Sequence, residues 1–195
     1  MSSIDLYWLP LGAGGSFVRS NGRLYEAVVA RAQRRRPLDL YHSALVLTTG
    51  FGSFVVEQAW PSPSGDGAAA RGVVGEGPVG VRAAGRLRIL RYEVRRWRDG
   101  TIADLDAAVE SPRRLTGDPA VVKRAFSLVP SAPTPVWGRD ELRADEMWNS
   151  NSLVSWLLAR AGLDAEAVPA PSGGRAPGWA AGVRVARRAD TNVRS

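Results

Sequence analysis

The stretch MWNSNSLVSWLL, residues 147–158, sets two asparagines and two serines directly before an apolar run. The apolar residues that follow Ser150 by three, four and seven positions are Leu153, Val154 and Leu157. Because this spacing places side chains on one helical face, it predicts a buried helix over about 150–161, with Ser150 at the start of the buried stripe. Gly162 stands where a glycine commonly ends a helix.

Ser150 is a candidate nucleophile because of its place at the start of this helix. Backbone N–H groups in a first helical turn have no intrahelical partner, and the helix dipole favours negative charge there. A serine oxygen at this point can attack an acyl carbon while free amides receive the developing oxyanion. The alternative is that Asn149 or Ser150 is simply the N-cap, an interaction worth about 1 kcal/mol.

A serine nucleophile needs a positioned base, and His42 is the single histidine of the chain. It lies in LDLYHSALVL (38–47), which together with SFVVEQAW (53–60) indicates a β-hairpin. If paired residue numbers sum to 99 or to 101, Glu57 shares a face with His42 and can orient the imidazole, whereas a sum of 100 puts Gln58 on that face instead. Taken singly, each is better explained as an ordinary strand residue, but with Ser150 they supply the residue types of a hydrolytic site.

The remaining pattern predicts one α+β domain over residues 1–186 and a flexible basic tail over 187–195. The other predicted elements are a strand over 4–11, a helix over about 22–35, a long loop over 61–80, a strand with one solvent-facing side over 86–97, and a helix over 118–129 that begins with Asp118 as N-cap and Pro119 at its first position.

Composition excludes several classes of site. The chain has no cysteine, so it forms no disulfide or thiolate metal site, and one histidine excludes a multi-histidine metal centre. We expect no cofactor, no membrane span, no signal peptide and a cytoplasmic location. The net charge of +7 comes from arginine-rich segments at 34–36, 86–98 and 184–188, which a solvated basic surface explains better than nucleic-acid binding does. The oligomeric state is left open.

The order of these parts resembles the circularly permuted papain-like hydrolases of the NlpC-type superfamily, which include PPPDE peptidases and lecithin:retinol acyltransferase-like proteins. The segments that carry the resemblance are LPLG at 9–12, LYHSALVL at 40–47, VVEQAW at 55–60 and WNSNSLVSWLL at 148–158. In that superfamily the histidine strand precedes a nucleophile helix that opens with Asn-Cys-Asn-x-Phe. The matching residues here are Asn149, Ser150, Asn151, Ser152 and Leu153.

The resemblance implies an α+β, papain-like (circularly permuted NlpC-type) domain with an antiparallel sheet packed against a nucleophile-bearing helix. It implies Ser150, His42 and Glu57 as catalytic residues, with Asn149 and Asn151 in a binding role, acting on the acyl group of a small-molecule or peptide substrate. Serine in place of cysteine is a departure from the family pattern. Because a hydroxyl has a far higher pKa than a thiol, attack would require general-base help.

Three hypotheses follow from the sequence. The chain is a serine-dependent hydrolase or acyltransferase acting on an amide, ester or peptide bond, or it is a catalytically inactive member of the same fold that binds a ligand or acts as a scaffold. The third is a polyanion-binding protein that uses its arginines. The distance between Ser150 and His42, together with the register of the hairpin, separates the first two.

Overall fold

The computed structural model describes residues 1–11, 36–61 and 67–193, and over these it is an α+β structure with seven strands and three α-helices. The strands are β1 (Ser3–Pro10), β2 (Asp39–Thr49), β3 (Gly52–Ala59), β4 (Val73–Pro78), β5 (Arg91–Arg98), β6 (Val109–Thr116) and β7 (Gly174–Arg175). The helices are α1 (Pro119–Leu128), α2 (Ser150–Arg160) and α3 (Trp179–Val193).

The strands form one sheet in the order β4-β5-β3-β2-β1-β6, in which all neighbours are antiparallel. The short strand β7 pairs in parallel with the beginning of β2. This confirms an α+β architecture with an antiparallel sheet packed against α2. None of the described helices has the length and apolar character that crossing a membrane requires.

The two faces of the sheet have different neighbours. The helices α1 and α2 pack on one face of the sheet, which we call the helix face, and α3 packs against α2. On this face β2 contributes Tyr41, Leu45 and Leu47 to the main core. The opposite face carries a small apolar cluster, formed by Leu9, Ala44, Val55 and Ile102. Because side chains alternate along a strand, this division assigns every residue of β2 to one face or the other.

Local sequence signals explain the two predicted helices that lie within the described residues. The side chain of Asp118 accepts a hydrogen bond of 2.8 Å from the N–H of Ala120, and Pro119 opens α1, as predicted. The buried helix predicted over 150–161 is α2, and Gly162 follows its end with φ near +95°. That backbone conformation is one that glycine adopts without strain.

The predicted hairpin forms, and its register follows one of the alternatives left open by the sequence. Leu45 lies opposite Val56 and Thr49 opposite Gly52, so paired residue numbers sum to 101. Under this register Glu57 and His42 point to the same face of the sheet. Gln58 therefore points to the helix face, together with Val56.

The prediction of a loop over 61–80 is wrong for its last part, which forms the edge strand β4. Its glycines suggested a turn-rich segment. Gly77 instead leaves room for the ring of Tyr92 on the neighbouring strand, because a Cβ at this position would lie 2.3 Å from the Cζ atom of Tyr92.

The strand predicted over 86–97 begins only at Arg91, because Arg88–Leu90 forms a turn of 3₁₀ helix. Its expected solvent-facing side is also wrong, since Glu93 and Arg95 are both buried there. Side-chain hydrogen bonds join Glu93 to Arg71, in the segment before β4, and that contact covers this side of β5.

The C-terminal segment differs from the predicted tail, because α3 extends to Val193. Its last turns are held by contacts outside the helix. Arg187 forms an ion pair with Glu166, and Arg188 donates hydrogen bonds to the carbonyl oxygens of residues 142 and 143. The helix predicted over 22–35 lies outside the described residues.

Candidate functional site

The N-terminal end of α2 is held by a reciprocal cap. The side-chain oxygen of Asn149 accepts hydrogen bonds from the N–H groups of Asn151 (2.9 Å) and Ser152 (3.3 Å). The Ser152 hydroxyl accepts in return from the N–H of Asn149 (3.1 Å). This is a capping box, in which the side chains of Asn149 and Ser152 bind three backbone N–H groups at the start of the helix. Asn149, and not Ser150, is therefore the N-cap.

Asn151 attaches α2 to the sheet. Its side-chain nitrogen donates to the carbonyl oxygens of Tyr41 and Pro177, both at 2.9 Å. Its side-chain oxygen accepts a hydrogen bond of 2.8 Å from the hydroxyl of Ser43 on β2. Asn151 is 2% exposed. All of its donors and one acceptor position are used within the protein, so Asn151 acts here as a structural residue.

Two serines of α2 attach the helix to α3 in the same way. Ser152 donates to the carbonyl oxygen of Gly178, and Ser155 donates to that of Trp179, each at 2.7 Å. A Cβ at Gly182 would lie 2.1 Å from the carbonyl oxygen of Ser152. The backbone of α3 at Gly182 therefore packs directly against the backbone of α2, and a side chain would not fit between the two helices. Most of the polar residues that open the motif therefore stabilise the packing of three elements.

Ser150 is the exception in this motif. It is partly exposed, and its hydroxyl has no hydrogen-bond partner among the residues that the structure describes. The sequence predicts that the N–H groups of this first turn are free to receive an oxyanion. Those of Asn151 and Ser152 are not free, because they already donate to the side chain of Asn149. In this first turn only the N–H of Ser150 has no partner among the described residues, so an oxyanion that needs a second donor would have to displace the cap.

His42 lies on the other side of the sheet from α2. Its neighbour Ser43 bonds to Asn151 on the helix face, and successive side chains of a strand point to opposite faces. His42 is paired across β1 with Leu9, a member of the cluster on the opposite face. The structure therefore does not bring Ser150 and His42 together, which corrects the expected nucleophile–base pair.

The environment of His42 disfavours its charged form. Burial lowers the pKa of His42 to about 4, and the carboxylate of Asp104 opposes this only in part. The ring is consequently neutral at pH 7. A neutral imidazole can act as a base, but the hydroxyl groups of α2 lie on the other side of the sheet from His42.

Glu57 shares a face with His42, as one register predicted, yet its carboxylate is engaged elsewhere. Arg95 donates a hydrogen bond of 3.0 Å to Glu57, its direct partner across β3 and β5. Burial raises the pKa of Glu57, while the charge of Arg95 acts to lower it. No hydrogen bond joins Glu57 and His42 in the described part of the chain. Glu57 thus belongs to an ion network and does not orient the imidazole.

This network, Arg71–Glu93–Arg95–Glu57, lies on the face opposite the helices. Arg71 lies 2.7 Å from Glu93, and their side chains are 4% and 1% exposed. Arg95 bridges the two carboxylates, at 2.8 Å from Glu93 and 3.0 Å from Glu57. This network is not among the features that the sequence predicts. The sequence contains one indication of it, because β3 carries Glu57 and β5 carries Glu93 and Arg95 between residues of the core.

The sheet opens between β2 and β3 near the start of α2, and we call this place the fork. The β2–β3 ladder ends at Leu45 opposite Val56, although β2 continues with β1 and β3 continues with β5. On the helix face, Ser43 and Gln58 occupy the two separated strand ends. The hydrogen bond from Ser43 to Asn151 joins the fork to the first turn of α2.

Gln58 has a buried side-chain amide whose nitrogen and oxygen both lack a hydrogen-bond partner among the described residues. The indole N–H of Trp148, immediately before the cap, is unpartnered in the same way. Buried polar groups without partners are uncommon, since each costs about 1–3 kcal/mol. Gln58 lies in β3 at the fork, and Trp148 lies one residue before the N-cap of α2.

Within residues 1–11, 36–61 and 67–193, no group of three or more His, Asp or Glu side chains is arranged to hold a metal ion. Comparison with known proteins returned no match to a family model, a curated protein or a solved structure. The functional interpretation therefore depends on the geometry of the described residues.

Proposed function

We propose that this chain is a non-catalytic binding protein with a variant of the circularly permuted papain-like fold, and that its ligand site is the fork. The observation that carries the proposal is the separation of Ser150 from His42 by the sheet. Serine is a weak nucleophile unless a base lies within hydrogen-bond reach. The chain has one histidine, and it lies on the wrong face.

The order and packing of the elements support the papain-like part of the proposal. A histidine-bearing strand comes before a helix that opens with Asn149, Ser150 and Asn151, and this helix packs against β2 and β3. The serine in the usual cysteine position agrees with a member of that fold in which binding has been kept without catalysis.

The unsatisfied groups of the fork indicate the chemistry of the ligand. The Gln58 amide offers a donor and an acceptor in a buried position, and the Ser150 hydroxyl is free at the helix start. A ligand that carries its own amide supplies the complementary acceptor and donor. We therefore propose a neutral carboxamide or a short peptide, held without transfer of its acyl group.

A serine-directed fluorophosphonate probe tests the non-catalytic part. We expect no labelling of the native protein, because nothing activates Ser150. Ser150→Ala serves as the matched control, with thermal unfolding to verify that the variant folds. Labelling of the native protein that disappears in Ser150→Ala would overturn the proposal and establish a serine hydrolase.

A binding experiment tests the ligand class. Short N-acetylated peptide amides are titrated into the protein and followed by NMR chemical shifts, with the corresponding free carboxylic acids as matched ligands. We expect the amides to bind and Gln58→Leu to abolish that binding while the fold persists. Absence of any shift with the native protein, or equal binding by Gln58→Leu, contradicts the assignment of the fork as the site.

We also propose that the protein resides in the cytoplasm, since a chain with no cysteine shows no adaptation to an oxidising compartment. Fractionation of cells expressing the tagged chain tests this location. Recovery from the periplasmic or extracellular fraction would contradict it.

A further inference from the structure

The segment 79–91, which joins β4 to β5 and ends on the first residue of β5, exposes large apolar side chains. Val81 is 54% exposed, Leu87 59% and Ile89 77%. Eight large hydrophobic residues are exposed in the described part of the chain, and these three fall within nine consecutive positions. Scattered exposed apolar residues need no explanation, but a local group of them marks an interaction surface.

Arginines are interspersed with these apolar residues. Arg82, Arg86 and Arg88 are all exposed, and the segment contains no acidic residue. Arg82 forms an ion pair of 2.7 Å with Glu141, whereas Arg86 and Arg88 form no ion pair with any described residue. The surface of this segment is therefore both apolar and positively charged.

The segment is held in place at its base. The N–H of Val79 donates to the carbonyl oxygen of Leu90 at 2.8 Å, which closes the segment into a loop. Arg91 donates from Nε to the carbonyl oxygen of Gly85, and Arg139 donates to that of Gly80 at 3.1 Å. The exposed side chains are thus presented by an ordered loop, so docking costs little conformational entropy.

We infer that the segment 79–91 docks on the surface of an anionic lipid bilayer. Aliphatic side chains gain free energy by entering the boundary between headgroups and acyl chains, and arginines gain by approaching anionic headgroups. A nucleic acid would attract the arginines but would leave Leu87 and Ile89 without a favourable contact, because bases stack on aromatic rings. This inference is independent of the proposed ligand site, and the attachment is peripheral.

Sedimentation with vesicles tests the inference. The purified protein is mixed with vesicles of phosphatidylcholine alone, or of phosphatidylcholine and phosphatidylglycerol at about 7:3, at low and high salt. We expect binding to the anionic vesicles that weakens as salt rises, and little binding to the neutral vesicles. No sedimentation with anionic vesicles at low salt would overturn the inference.

Two double variants separate the contributions of charge and apolar contact. Arg86→Gln with Arg88→Gln is expected to weaken binding about 25-fold, since each arginine near such a surface contributes about fivefold. Its matched control is Arg113→Gln with Lys123→Gln, which removes the same charge from exposed positions elsewhere. Equal loss of binding in this control overturns a local docking surface.

Leu87→Ser with Ile89→Ser is expected to weaken binding at least tenfold, with Leu105→Ser as the matched control because Leu105 is exposed in a different loop. Thermal unfolding of each variant verifies folding, and these surface changes are expected to leave it unchanged. If the Leu87→Ser with Ile89→Ser variant binds anionic vesicles as well as the native protein does, the apolar side chains make no contact with the bilayer and the inference of a lipid-docking loop is overturned.

Discussion

Ser43 donates a hydrogen bond of 2.8 Å to Asn151, and this contact joins the centre of the sheet to the first turn of α2. It also shows which face of β2 meets the helix. Because adjacent side chains of a strand point in opposite directions, Ser43 on the helix face requires His42 on the other. The contact that packs α2 on the sheet therefore also requires His42 to point away from Ser150.

Asn151→Ala is expected to lower the free energy of unfolding by about 2–4 kcal/mol, because it leaves the Ser43 hydroxyl and the carbonyl oxygens of Tyr41 and Pro177 without their partner. Urea denaturation at pH 7 measures the change. Ser150→Ala is the control and should change stability by less than about 0.5 kcal/mol. Equal effects of the two substitutions would contradict the structural role given to Asn151.

Glu93→Gln is expected to destabilise the protein by about 3–5 kcal/mol at pH 7, because Arg71 and Arg95 then remain buried without a compensating charge. Glu76→Gln removes the exposed ion pair with Arg91 and should cost less than about 1 kcal/mol. Urea denaturation of the two variants at the same ionic strength provides the comparison.

The cost of Glu93→Gln should also depend on pH. Burial alone would raise the pKa of Glu93, but hydrogen bonds from Arg71 and Arg95 outweigh it and hold the pKa below its ordinary value of 4.5. A carboxyl group with a lowered folded-state pKa contributes stability above its unfolded pKa and loses it as the pH falls through the folded one. The stability difference between native protein and variant should therefore shrink below pH 4.5. A constant difference down to pH 3 would contradict this.

His42 should titrate with a midpoint near pH 4 in the folded protein, because burial lowers its pKa to about that value. The unfolded chain takes up this proton near pH 6.5, so stability should decline as the pH falls from 6.5 to 4, by up to about 3 kcal/mol. The NMR signal of the single imidazole reports the midpoint directly. A midpoint near 6.5 would place the ring in solvent, and His42→Gln should remove this part of the pH dependence.

Gln58→Leu is expected to raise the free energy of unfolding by about 1 kcal/mol in the absence of ligand, since it replaces an unsatisfied buried amide with an apolar side chain of similar size. Thermal unfolding measures the effect. Ser43→Ala, on the facing strand end, is the matched control and should be destabilising, because it takes a hydrogen bond from Asn151. Destabilisation by Gln58→Leu would show that its amide has a partner in solution.

The elements that could be predicted are those whose signals are local. Asp118 and Pro119 mark the start of α1, and the position of Gly162 marks the end of α2, because caps involve only residues within one turn. The hairpin was predicted from strand composition around a short turn. Its register had to be left open, since both parities fit the same turn.

Other elements depended on partners distant in the chain. The glycines of β4 predict a loop, but in the structure the ring of Tyr92 packs against Gly77 and the segment is a strand. The charges of β5 suggested a solvent-facing side, but Arg71 reaches across to cover Glu93. In each case the contact that decides the conformation comes from another element, and no local pattern contains it.

The sequence by itself determined where α2 begins, that polar residues open it, and that a strand carries the only imidazole, because these properties depend on neighbours within a few positions. The tertiary structure alone decided that Asn149 caps the helix while Ser150 stays free, and that His42 faces away from both. The reason is physical: strand side chains alternate, so which of them meets a helix is set by packing across the whole sheet.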